Sequence, residues 1–160
     1  MYEIEEIKEY SMKKNNQLVF YIAELNQCNY ILQNNEIKNQ ISLFLLKYVT
    51  LEAFYKKLLV AEKEKSGKKL SQKDKKNLRV TSSEVKRVLD YFEIDCDINL
   101  IERIFGSNDK NYTECSIKKL RDRMVHTVND NVLRVILERY EQMDKDMDAF
   151  ENLFISQSGR

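Results

Sequence analysis

Arg121 and His126 are the side chains of this chain whose types and spacing suit chemistry on a phosphodiester. His126 is the only histidine among 160 residues. Imidazole both takes and gives a proton near neutral pH. Guanidinium carries a permanent, forked charge that matches phosphate oxygens. The two lie in Arg121-Asp122-Arg123-Met124-Val125-His126, an R-x4-H hexapeptide with a carboxylate beside the arginine. Each has a plainer reading. His126 can be a surface imidazole that happens to follow an arginine, and Asp122 can pair locally with Arg123 or Lys118.

The spacing poses a geometric problem. Positions five apart on a straight helix are about 140° from each other, so Arg121 and His126 do not share a face. Two solutions follow. The backbone is irregular there, with Thr127 and Asp130 spaced as a capping box that restarts a helix. Alternatively, a symmetric dimer completes the site, each chain giving one copy of the motif.

The elements that must hold these residues are helical. The chain has no proline and three glycines, so little in it breaks a helix. Ile4 and Ile7 suit a short first helix, followed by a polar break over Lys13-Lys-Asn-Asn16. Leu18, Tyr21, Ile22, Leu25 and Leu32 then recur at helical spacing, and Asn34-Asn35 punctuates. Ile37 to Leu59 gives the widest apolar stripe, with Glu52 at its edge. Residues 62–79 form a basic internal loop rich in lysine, either a solvated face or an electrostatic guide for a polyanion. Thr81 to Glu84 has capping-box spacing before Val85, Val88, Leu89 and Phe92. Asp95 or Asp97 caps a short helix that Gly106 ends. Ser107 to Tyr112 is a polar loop, Ser116 starts a helix through Leu120, and a long helix runs from about Asn129 to Phe154. The tail 156–160 frays. The fold class is therefore all-α, a single-domain helical bundle of five to six helices over 1–160.

Composition narrows the function. Net charge is +1, which points to no polyanion by itself. Cys28, Cys96 and Cys115 lack C-x-x-C spacing, and one histidine does not complete a zinc set with them, so no metal and no cofactor are expected. No apolar run approaches the ~20 residues of a membrane span. An acidic N-terminus and an odd cysteine count fit the cytoplasm. Phosphate-binding and dinucleotide fingerprints are absent.

Leu120-Arg-Asp-Arg-Met-Val-His126, followed by a long terminal helix, resembles the motif of the HEPN superfamily. These are small helical bundles, many of them RNases with an R-x4-6-H signature. The residue after the arginine is often Asn, Asp or His in that family, and Asp122 matches. The internal acid of the preceding long helix, Glu52, is similar to the family's layout. The resemblance implies metal-independent cleavage of single-stranded RNA in a cleft shared by a homodimer. His126 activates the ribose 2′-OH or protonates the leaving oxygen, and Arg121 stabilises the phosphorane. Asp122 orients one of them, and Glu52 is the supporting acid. Lys118, Lys119, Arg123 and the basic loop contact RNA phosphates. A defence or toxin role, with an antitoxin or regulatory partner, comes with it. Toxins of the subgroup paired with nucleotidyltransferases carry a tyrosine two residues after the histidine, where this chain has Val128.

Two alternatives stand beside the enzyme. One is a catalytically inactive HEPN-like module that binds RNA or a nucleotide. The other is a helical scaffold that offers an apolar face to a partner, for which a large exposed apolar patch away from the motif is the sign.

Overall fold

The computed structural model describes the backbone of residues 2–107 and 111–158, and side chains over 12–107 and 111–155. Seven α-helices form among the described residues: α1 (Tyr2–Leu32), α2 (Asn35–Lys63), α3 (Gln72–Lys76), α4 (Ser82–Tyr91), α5 (Ile98–Phe105), α6 (Ile117–His126) and α7 (Asp130–Ser158), with a 3-10 turn at Glu64–Ser66. No strand forms among them.

Local chemistry sets the boundaries. Asn34 caps α2, its side-chain oxygen accepting from the Glu36 and Ile37 amides. Thr81 caps α4 through the Glu84 amide, while the Glu84 carboxylate lies 3.6 Å from Lys63. Asp97, not Asp95, caps α5 through the Asn99 amide. α5 ends at Gly106, where a Cβ would sit 2.5 Å from the Glu102 carbonyl oxygen, so only glycine fits.

Four expectations change. The first two predicted elements are one helix, since α1 runs unbroken through Lys13–Asn16. Lysine and asparagine cost at most about 0.7 kcal/mol each in a helix, too little to stop one without proline or glycine. The basic loop is not structureless. Ser71 and Asp74 form a reciprocal capping box, and α3 follows within the lysine run, raising the helix count to seven. The helix from Ser116 does not stop at Leu120 but continues to His126. At the other end α7 carries through Ser158, so residues 156–158 are helical where fraying was expected; residues 159–160 lie outside the described residues, as do 108–110 of the polar loop.

The core sits between α2 and α7, closed by α4, α5 and α6. Lys47 pairs with Asp144, and Phe54 meets Phe154 with ring centroids 4.8 Å apart. The partners rise together in number, so α2 and α7 run in the same direction. Tyr48, Tyr55, Phe105 and Phe150 fill the centre, fully shielded from solvent. Phe105 touches both tyrosines and Phe150. Only residues 127–129 join α6 to α7, so these two form a helical hairpin. Arg139 fastens its far end by donating to the Tyr112 and Cys115 carbonyls, 2.8 Å each.

Candidate functional site

The R-x4-H hexapeptide lies wholly within α6. Ser116 caps that helix by accepting from the Lys119 amide, and its hydroxyl donates to the Gly106 carbonyl at 2.6 Å. Ile117 and Leu120 are buried and fix which side of α6 meets the core. Arg121 follows Leu120 and therefore points along the seam between α6 and α2.

Arg121 is held on three sides. Its Nη2 donates to Glu52 Oε2 at 2.9 Å. Its Nε lies 3.0 Å from Asp122 Oδ1, in ion-pair contact. Its guanidinium carbon sits 4.9 Å from the centre of the Tyr48 ring, within cation–π range. The Arg121 side chain is 21% exposed and that of Glu52 is 13% exposed. The charge is thus positioned but still reachable from solvent. Burial, with the Glu52 charge beside it, pushes the Tyr48 phenol well above its ordinary range. Tyr48 stays neutral and serves as a platform. Glu52 also meets Lys56 at 3.5 Å.

His126 is the last residue of α6 and is exposed. Its imidazole makes no hydrogen bond or ion pair with the described residues. The helix is regular from Ile117 to His126, so the 140° separation from Arg121 stands. Thr127 does not restart the chain as a cap. Its amide donates to the Arg123 carbonyl at 2.9 Å and closes α6. Asn129 caps α7 instead, accepting from the Val132 amide at 2.9 Å. The irregular-backbone solution is therefore corrected: within one chain the two residues diverge.

The other sequence-predicted residues share α6 but are spread around it. Asp122 contacts Arg121 rather than Arg123 or Lys118. Arg123 is exposed and stacks over Tyr112, 5.6 Å from its centre. Lys118 is half-buried and donates to the Val80 carbonyl, which ties α6 to the end of the basic segment. Lys119 is half-buried as well. In the basic segment Lys63 meets Glu84 and Lys65 meets Glu62, while Lys68, Lys69, Lys73, Lys76 and Arg79 are exposed.

Sequence reasoning missed the partners of Arg121 on α2 other than Glu52. The signal was present: Tyr48 and Glu52 are four apart on one helix and necessarily neighbours. No group of three or more His, Cys, Asp or Glu side chains that could hold a metal ion occurs among the described residues. None of their helices is long and apolar enough to cross a membrane. No family model matches the chain, and neither a curated protein nor a solved structure matches it.

Proposed function

We propose that this chain is a HEPN-type endoribonuclease that cuts single-stranded RNA at a site completed by two copies. One observation carries the reading. A single short helix presents an arginine locked against Glu52 and Tyr48, and an exposed histidine that no neighbour occupies. A fixed cation and a free imidazole are the two groups this chemistry requires.

In the proposed reaction, one His126 takes the proton of a ribose 2′-OH. The 2′-oxygen attacks the adjacent phosphorus, and the bond to the 5′-oxygen breaks. A second imidazole, His126 of the other copy, gives that oxygen its proton. The products are a 2′,3′-cyclic phosphate and a 5′-hydroxyl. Arg121 stabilises the charge that gathers on the phosphorane oxygens, and Asp122 and Glu52 hold its fork in place. Metal independence, the shared cleft and the defence or toxin role come from the resemblance. Incubating the protein with labelled single-stranded RNA in EDTA, beside His126→Ala, tests the reading. Cyclic-phosphate ends from the wild type alone support it; equal cleavage by both proteins overturns it.

A second reading is favoured by a different observation. Leu43, Leu46 and Val49 stand half or more exposed on the outer face of α2. On that reading the chain is a helical interaction protein, and it neither binds nor cuts RNA.

A further inference from the structure

α1 carries an apolar surface that none of the other described residues covers. From residue 12 to residue 23 every position is exposed. Leu18, Val19, Phe20, Tyr21, Ile22 and Leu25 all face solvent, Val19 at 66%. The helix meets the body only near its C-terminal end, where Ile31 is buried and Cys28 and Leu32 pack against the core. Leu18, Ile22 and Leu25, at i, i+4 and i+7, form a stripe suited to a groove.

The same chain has such a groove. Two hollows of about 420 and 330 Å³, which share Thr50 and Glu151, run along the seam of α2 and α7. Leu43, Leu46, Thr50 and Phe54 line them from α2, and Tyr140 and Phe154 from α7. Asp144, Asp148 and Glu151 stand on the rim against one lysine, Lys47. α1 has Lys13 and Lys14 just before its apolar stripe.

We propose that α1 of one copy lies in the α2–α7 groove of a second copy, reciprocally, in a twofold dimer. Three observations select a second copy. Donor stripe and acceptor groove are on one chain, so a closed twofold pair satisfies both at once. The charges match when the helices run antiparallel: with Leu18 over Leu46, Ile22 falls over Leu43 and Lys14 reaches the Thr50 end, beside Asp148 and Glu151. The area is also sufficient. The α1 stripe of Leu18, Ile22 and Leu25 and the facing Leu43, Leu46 and Phe54 are all partly or largely exposed, an apolar strip of roughly 600 Å² per copy, at the upper end of the ~300–600 Å² of a typical monomer's largest patch. Two copies reach the ~1,200–2,000 Å² of a stable interface.

The groove lies on the flank of α2 opposite Arg121. Glu52, which holds Arg121, is about 160° around the helix from both Thr50 and Phe54. This contact therefore leaves the two α6 helices of the pair apart; it is separate from the pairing of α6 motifs that the proposed cleavage site needs, and the inference does not rest on RNA cleavage.

Light scattering on the purified chain reads the mass directly. The expected value is at least twice the 19.1 kDa of one chain. Ile22→Glu changes a side chain that its own fold leaves exposed, so helicity is retained; self-association weakens at least about 100-fold. Mixing differently tagged Leu18→Cys and Leu46→Cys chains under mild oxidation yields a hetero-crosslinked pair. A monomeric wild type overturns the proposal, whether or not it binds vesicles of anionic lipid. A dimer that Ile22→Glu leaves intact overturns it too. Crosslinking of Leu18→Cys only to itself would place α1 against α1, which also overturns it. His126→Ala dimerises like the wild type, so loss of cleavage in that variant is read separately from loss of association.

Discussion

α2 carries two clusters built from the same three residue types, and they differ in what solvent can reach. Near its middle, Tyr48 and Glu52 hold Arg121. Near its end, Glu62 meets Arg87, with Lys65 adding a 3.0 Å contact to Glu62, and the buried Tyr55 phenol feels the charges of both Arg87 and Glu62. Neither tyrosine hydroxyl, both buried, meets a hydrogen-bond partner among the described residues. Glu62 is sealed, its side chain 2% exposed, and its Oε2 has no partner. Burial opposes its ionisation, yet hydrogen bonds from Arg87 and Lys65 hold its carboxyl below the usual range. Glu52 is 13% exposed and its arginine 21%. The Glu62 cluster ties α2 to α4 and to the 3-10 turn. The Glu52 cluster ties α2 to α6, and only that helix ends in a free histidine. A buried Glu–Arg pair is therefore an ordinary way of joining helices in this molecule. What distinguishes the Arg121 cluster is access to solvent and the imidazole at the end of its helix.

The comparison can be broken at several points. His126→Ala is expected to lower RNA cleavage by about 10²–10⁴-fold, the usual contribution of a proton-transfer group. Its melting temperature should stay unchanged, because the side chain is exposed and unpartnered; calorimetry beside the cleavage assay reads both. Arg121→Ala should destabilise by roughly 2–3 kcal/mol, since it leaves Glu52 short of a partner in a half-buried seam. Arg121→Lys should recover part of that stability in denaturant titrations and none of the cleavage, lacking the flat fork.

Glu62→Gln should cost roughly 1–2 kcal/mol at neutral pH. Because the folded-state pKa of Glu62 is lowered, its contribution is complete above the unfolded value of about 4.3. It disappears as pH falls through the lower folded-state value. Chemical denaturation of both proteins from pH 7 to pH 3 should show the gap closing; a gap constant over that range would show that the charge is not what stabilises the cluster. The smallest effects belong to the tyrosines. Tyr48→Phe and Tyr55→Phe each remove an unpartnered buried hydroxyl and should shift stability by no more than about 0.5 kcal/mol. A much larger loss at Tyr48 alone would reveal a hydrogen bond donated by Arg121 to its hydroxyl in solution.

Much of the helical pattern was legible because it is a local property. The Ile37–Leu59 stripe became α2, Asp97 and Gly106 bounded α5, and the terminal apolar series became α7. Errors clustered where polarity was read as interruption. Lys13–Asn16 and the lysine run around α3 are polar, but polar residues other than proline and glycine are compatible with a helix. The Ser71–Asp74 spacing of a capping box is present in the sequence, but the lysine-rich composition around it reads as a loop. Thr127 and Asp130 had the same spacing and formed no cap, because the Thr127 amide and hydroxyl both turn back to the Arg123 carbonyl and close α6.

The sequence by itself determined the all-helical class, the helix ends fixed by side-chain caps, and the presence of one R-x4-H hexapeptide. These depend on contacts within a few residues. Only the tertiary structure decided that Arg121 turns inward to Glu52 and Tyr48 while His126 turns to solvent. That outcome depends on which face of α6 the buried Ile117 and Leu120 press against α2 and α5. It also decided that α1 stands with its apolar side chains uncovered. Periodicity shows that a stripe exists; the packing of the rest of the chain settles whether anything lies against it.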